Sequence, residues 1–207
     1  METMMTSVGS VLDGSVKTVS AQLAEQGAQT VFAEVMGEKA LFFYRLDPIE
    51  DERRREVGAE HLDQRRPLET LLSLPVGMPV PLASLDQHEK RALRSLPTGA
   101  ADRDRRTVTR RAVRPLQVDL AVVPASGWRQ GLERAGRFAP FCRRAMLLSR
   151  RPARLDEVLA EADFYGIGVL IDRGDEIEMA LEPEAHRPQR HTAAAWRFVE
   201  ELYQRVR

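Results

Sequence analysis

Hydrophobic positions along the chain repeat with two different periods, and the places where the period changes mark most of the elements. Val16, Val19 and Leu23 fall at helical spacing, and Gly27 stops that run as a C-cap glycine would. Thr30–Met36 and Lys39–Arg45 are β-prone runs around Gly37-Glu38, which predicts a hairpin ended by Asp47-Pro48. Leu68, Leu71 and Leu72 mark a short helix closed by the loop 75–81. Ser84-x-x-Gln87 has capping-box spacing and predicts a second helix with Leu85, Ala92 and Leu93 on one side, ending near Pro97 and Gly99. Val108 and Val113, interleaved with arginines in 102–114, make part of that run a strand.

From Leu116 the pattern sharpens. Gln117–Val123 predicts a strand broken by Pro124, and Ser126 is the candidate cap for a helix burying Trp128, Leu132, Ala135 and Phe138. Arg144–Leu148 is a short buried strand. Leu155, Val158, Leu159 and Ala162 give another helix. Ile167–Ile171 and Ile177–Leu181 predict paired strands around Asp172-Arg-Gly-Asp175, and Trp196, Val199, Tyr203 and Val206 line a final amphipathic helix.

Composition narrows the class without naming an activity. At 207 residues, 43% apolar and 30% charged, the chain suits a globular protein of one domain or two small ones. Formal net charge is zero, so any polyanion site must be a local patch. The only lysines are Lys17, Lys39 and Lys90; codon usage in a GC-rich, bacterial-type genome accounts for the arginine excess better than selection for phosphate. Cys142 stands alone, which excludes a disulfide and reads as a buried inert thiol. His61, His88, His186 and His191 form no metal-binding spacing, and no apolar run approaches a membrane span. No membrane association and a cytoplasmic location are the expectation. The mixed charges of 47–66 read as a solvated helix face or linker rather than an interaction helix. Gly166-Ile-Gly168 lies inside a strand pattern and is no nucleotide-binding loop; Trp128 and Trp196, at helical spacing with apolar residues, read as core.

Helix, loop, helix and a basic hairpin is the order of a winged helix, in which a helix enters the major groove and the wing touches phosphate. The fit is imperfect, because no Gly or Pro divides Pro81–Leu96 into two helices. A winged helix and an unrelated helical insertion both remain open. The candidate nucleic-acid-binding residues are Arg103, Arg105, Arg106, Arg110, Arg111 and Arg114, with Arg129, Arg134 and Arg137 on the helix that opens at Trp128.

Trp128-Arg-Gln-Gly-Leu-Glu-Arg-Ala-Gly-Arg-Phe138, Ala145-Met-Leu-Leu148 and Tyr165-Gly-Ile-Gly-Val-Leu-Ile171 together resemble predicted nucleases of the restriction-endonuclease-like, PD-(D/E)XK, superfamily. The resemblance implies a mixed α+β fold: a central mixed sheet flanked by helices, with a helical, winged-helix-like insertion. Residues 1–14 would be a flexible tail, 15–46 the first helix and hairpin of the core, 47–115 the insertion, and 116–207 the rest of the core with the C-terminal helix. Such nucleases hold one or two Mg²⁺ ions on strand carboxylates, with a lysine beside the attacking water. Counted back from Trp128, the E-x-K triplet should lie within the four residues Ala121, Val122, Val123 and Pro124, and the assisting helix glutamine aligns with Arg134. The catalytic set is therefore absent in this reading, and Glu34 and Asp119 are the weak remaining candidates.

Three functions follow. The first is a non-catalytic DNA-binding protein on a degenerate nuclease fold, with double-stranded DNA as partner and no cofactor. The second is an assembly protein that dimerises through an exposed Trp196, Val199, Tyr203, Val206 stripe. The third is a Mg²⁺-dependent nuclease with a site relocated to Glu34 and Asp119.

Overall fold

The computed structural model describes residues 26–174, 176–187 and 191–207; the predicted tail and the helix around Val16 to Leu23 lie outside them. In chain order the elements are β1 (Gln29–Val35), β2 (Glu38–Leu46), α1 (Pro48–Glu56), α2 (Arg65–Ser73), β3 (Pro79–Pro81), a 3₁₀ turn (Leu82–Ser84), α3 (Gln87–Arg94), β4 (Ala101–Arg103) and β5 (Thr107–Arg110). There follow β6 (Leu116–Ala125), α4 (Trp128–Gly136), β7 (Arg143–Leu148), α5 (Leu155–Phe164), β8 (Gly168–Asp172), β9 (Ile177–Leu181) and α6 (Ala193–Val206). The fold is mixed α+β, with one six-stranded and one three-stranded sheet among the described residues. Contacts divide the chain into two units, 1–45 with 118–188 and 46–117 with 189–207.

The first unit is organised by the larger sheet, in the order β1-β2-β6-β7-β8-β9. The hairpin β1–β2 is antiparallel and turns through Met36 and Gly37, both at positive φ, the backbone a tight two-residue hairpin requires. Strands β6, β7 and β8 run parallel, and β9 returns antiparallel. Leu41, Phe43, Leu120, Val122, Ala145, Leu147, Leu170 and Ile177 form one apolar cluster. The alternate positions Phe42, Ala121, Val123, Met146, Val169 and Ile171 are buried as well. A sheet covered on both faces explains why these strands read as continuous apolar runs.

Three glycines set close approaches in this unit. A Cβ on Gly131 would stand 2.8 Å from the Met146 sulfur and 3.1 Å from the Ala125 Cβ, so a bare backbone lets α4 lie against the sheet. A Cβ on Gly168 would meet Pro183 at 2.7 Å, and Gly166 has φ +64°, which makes the Gly-Ile-Gly motif a packing feature. Phe138 meets Phe42 edge to face, with ring centroids 5.4 Å apart.

Two local expectations are corrected here. Pro124 does not break β6, which runs on to Ala125 and pairs Pro124 with Leu147; the proline sits one residue from the strand's end, where a missing donor matters little. The N-cap of α4 is Gly127, not Ser126, and no side chain caps it.

The second unit is mostly helical. Leu62, Leu68, Leu71, Ala100, Ala112, Ala193 and Trp196 form one cluster, and Leu74, Leu93 and Val108 another. The small sheet has the order β3-β5-β4, antiparallel throughout. The capping box of α3 is Asp86 with Glu89, each accepting from the other's backbone N–H at 2.8 Å, two residues past the predicted Ser84 and Gln87 pair. The Ser84 hydroxyl instead donates to the Pro81 carbonyl inside the 3₁₀ turn. The sequence reading grouped α6 with the nuclease-like core. The helix packs in this unit instead, because Ala193 and Trp196 complete the Leu68 and Leu71 cluster.

The charged segment 47–66 also departs from the solvated reading. Asp47 caps α1 by accepting from Ile49 N and Glu50 N at 3.0 Å, and the helix then buries Glu50, Asp51 and Arg54. Arg54, only 2% exposed, donates to Glu50 at 2.8 Å and to both oxygens of Glu200 at 2.7 and 2.9 Å. Glu200 also accepts from the Trp196 indole at 2.8 Å and from Leu62 N at 3.2 Å. Burial pushes the Glu50 carboxyl up, but hydrogen bonds from Arg53 and Arg54 outweigh it and hold the group below the usual carboxylate range. The Tyr203 hydroxyl donates to Asp51 at 2.6 Å, and burial together with that carboxylate pushes Tyr203 up to about 12.

Candidate nucleic-acid interface

The arginines singled out from the sequence fall in both units and do different things. In the second unit, β4 and β5 form a hairpin whose tip is Arg103-Asp104-Arg105-Arg106. Asp104 organises the turn by accepting from Arg106 N at 2.6 Å, Thr107 N at 2.7 Å and the Thr107 hydroxyl at 2.8 Å. Those hydrogen bonds hold its carboxyl below the usual range. Arg103, Arg105 and Arg106 are exposed, and none pairs with a carboxylate among the described residues. The hairpin thus presents three uncommitted guanidinium groups on a rigid turn.

The rest of that run is committed to structure. Arg110 donates to the carbonyls of Leu71 and Leu74 at 3.2 Å and of Ala112 at 3.0 Å, and its guanidinium lies 4.9 Å over the Trp196 ring. Burial lowers its pKa, with Arg114 nearby adding to the effect. Arg111 pairs with Asp102 at 2.6 Å at the surface. Arg114 is partly buried, burial lowers its pKa, and one of its terminal nitrogens has no hydrogen-bond partner among the described residues. Helix α3 adds exposed Gln87, His88, Arg91 and Arg94, with Leu93 turned into the core. None of these four is among the nucleic-acid candidates drawn from the sequence, where Gln87 figures only as a capping residue, although their spacing opposite Leu93 is the available signal.

In the first unit, α4 carries Arg129, Arg134 and Arg137. Arg134 donates to Glu38 at 2.6 Å and to the Pro124 carbonyl at 2.9 Å, tying the helix to the sheet. Arg137 shares the same Glu38 at 2.8 Å and approaches Glu133 at 3.5 Å. Arg129 is exposed and lies 4.5 Å over the Trp128 ring. Arg134 therefore serves as a helix anchor.

The relocated metal site does not form. Asp119 is held by Arg45 through both oxygens, at 2.8 to 3.3 Å. Glu34 is exposed and stands opposite Lys39 in the β1–β2 register. Lys39 and Arg45 are six residues apart on β2, about 20 Å at roughly 3.3 Å per residue. One Mg²⁺ ion, with oxygens about 2.0–2.1 Å away, cannot use both carboxylates. Ala121, Val122 and Val123 are fully buried apolar residues of β6 and offer no metal ligand. No cluster of three His, Cys, Asp or Glu suited to a metal occurs among the described residues. Cys142 is fully buried and burial pushes its thiol far up, as an inert side chain requires.

The dimerisation stripe is also accounted for. Trp196, Val199 and Tyr203 are buried within the second unit, with Val206 half-buried, so no apolar face of α6 is left for a partner. No described helix is long and apolar enough to cross a membrane. The chain matches no family model, no curated protein and no solved structure.

Proposed function

We propose that this chain contacts double-stranded DNA without cutting it, through the second unit, while the first unit serves as a nuclease-like scaffold without catalysis. The observation that carries the reading is the hairpin tip with exposed Arg103, Arg105 and Arg106, none of them paired with a carboxylate among the described residues. Element order supports it. Helix α2, β3, the 3₁₀ turn, α3 and the hairpin β4–β5, with strands arranged β3-β5-β4, fit a winged helix whose middle helix has shrunk to one 3₁₀ turn. That shrinkage accounts for the missing break in Pro81–Leu96. In this scheme α3 presents Gln87, His88, Arg91 and Arg94 to a groove, and the hairpin tip touches phosphate.

Charge distribution favours the same unit. Residues 46–117 and 189–207 contain 18 arginines and lysines against 14 aspartates and glutamates, whereas 1–45 and 118–188 contain 13 against 17. The neutral total conceals a basic unit and an acidic one. A polyanion is drawn to the first of these.

The test is fluorescence anisotropy with a labelled mixed-sequence duplex, in EDTA, between about 50 and 200 mM salt. Binding should weaken log-linearly with salt, and three phosphate contacts from the tip would account for a slope of about −2.7. Arg103→Ala, Arg105→Ala and Arg106→Ala combined should flatten that slope by about the same amount. A flat trace for the unaltered chain at high concentration, or an unchanged slope in the triple variant, overturns the reading.

A further inference from the structure

The first unit contains an arginine-rich cleft that the DNA-contact reading does not use. It measures about 590 Å³ and is lined by Ser126, Gly127, Trp128 and Arg129 at the start of α4, and by Leu148 and the loop Arg150-Arg-Pro-Ala-Arg154 that follows β7. Glu157 and Val158 of α5 complete it. The volume lies within the range of roughly 300–1,000 Å³ typical of small-molecule sites. Strands β6 and β7 are parallel, and the cleft opens beyond the carboxyl ends of both.

The lining contains four arginines and one carboxylate, Glu157, in a unit whose overall balance is acidic. Such concentration against the local average is what an anion site requires. Arg150 pairs with no carboxylate among the described residues, and Arg129 rests on the Trp128 ring. Arg151 pairs with Glu178 at 2.8 Å and Arg154 with Glu157 at 3.3 Å, both at the surface, where an ion pair contributes little and is readily exchanged. The adjoining first turn of α4 holds no acidic residue and no capping side chain, so its amides add to the positive potential.

We propose that this cleft binds a small phosphorylated ligand, with Arg129, Arg150 and Arg154 on the phosphate oxygens and the Trp128 ring beside the organic part. The guanidinium fork matches phosphate in paired hydrogen bonds, which distinguishes the site from a general basic patch. The proposal stands independently of DNA binding by the second unit.

Calorimetric titration of the full chain with pyrophosphate, ADP, adenosine and sulfate tests it. ADP and pyrophosphate should bind with millimolar or tighter affinity, and adenosine and sulfate at least tenfold more weakly. Arg150→Ala with Arg154→Ala should weaken ADP tenfold or more while leaving the thermal midpoint unchanged, since both side chains are exposed. Arg129→Ala should do the same. The hairpin-tip triple variant should bind ADP as the unaltered chain does, even if its DNA contact is lost. Absence of heat with ADP and pyrophosphate, equal binding of sulfate, or ADP affinity that falls only in the hairpin-tip variant overturns the proposal.

Discussion

The two units solve the problem of a stable interior in opposite ways. The sheet unit packs almost only hydrocarbon: Phe42, Leu120, Val122, Met146 and Leu170 fill both faces, and its arginines stay near the surface, tying α4 to Glu38 or lining a cleft. The helical unit buries a charged cluster instead, Glu50–Arg54–Glu200, with the Trp196 indole drawn into it. The contrast shows that charge density in a sequence does not measure exposure. Each buried charge here is satisfied by several partners, which is the condition under which an ionic interior is tolerated.

The largest expected effect separates the two interiors directly. Arg54→Met leaves Glu50 and Glu200 buried without their shared cation, and should destabilise the helical unit by about 3–5 kcal/mol in urea unfolding. A loss below about 1 kcal/mol would mean that the cluster is not a structural centre. Leu120→Ala, fully buried in β6, should destabilise the sheet unit by about 2–5 kcal/mol through the cavity it leaves.

A pH titration should sharpen the difference. Hydrogen bonds from Arg55 and Tyr203 hold the Asp51 carboxyl below the usual range, and the arginines hold Glu50 there despite its burial. Carboxyls depressed in the folded state contribute stability that is fully present above their unfolded pKa of roughly 4 and is lost as pH falls through the lower folded values. Below about pH 4, then, the helical unit should weaken before the sheet unit. In a Trp128→Phe variant the remaining Trp196 reports that unit alone, and its emission should shift first. Simultaneous loss of Trp196 emission and of sheet circular dichroism would remove the distinction. The smallest effect is expected at the hairpin tip: the triple alanine variant at Arg103, Arg105 and Arg106 should alter unfolding free energy by no more than about 0.5 kcal/mol, because nothing structural depends on these side chains.

How far the sequence foretold this molecule depended on whether the deciding interactions were local. The β1–β2 hairpin was legible because a glycine turn separates two β-prone runs, and β6 to β8 because strands buried on both sides leave mostly apolar stretches, with β9 marked by the turn before it. The cap of α3 was misplaced by two residues because Ser84-x-x-Gln87 and Asp86-x-x-Glu89 overlap in the same stretch. The structure uses the acidic pair, which also suits the positive end of the helix. The fate of Arg54 could not be read at all, since Glu200 lies 146 residues away. Of the candidate arginines, Arg103, Arg105 and Arg106 kept the exposure expected of them. Arg110 and Arg134 are engaged in holding carbonyls and helices, a difference set by their neighbours in space.

The helical unit is assembled from two stretches of chain, 46–117 and 189–207, separated by strands β6 to β9. Its order of manufacture follows from that. A ribosome releases α1, α2, α3 and the hairpin long before α6, so Arg54 and the Leu68–Leu71 surface must wait, uncovered, while the greater part of the parallel sheet is synthesised. Throughout that interval the nascent chain carries a half-built module whose missing piece follows the sheet strands in translation. A stop codon just before Ala193 would therefore leave a permanently unfinished unit, exposed to proteases and chaperones, even though every residue of α3 had already been made.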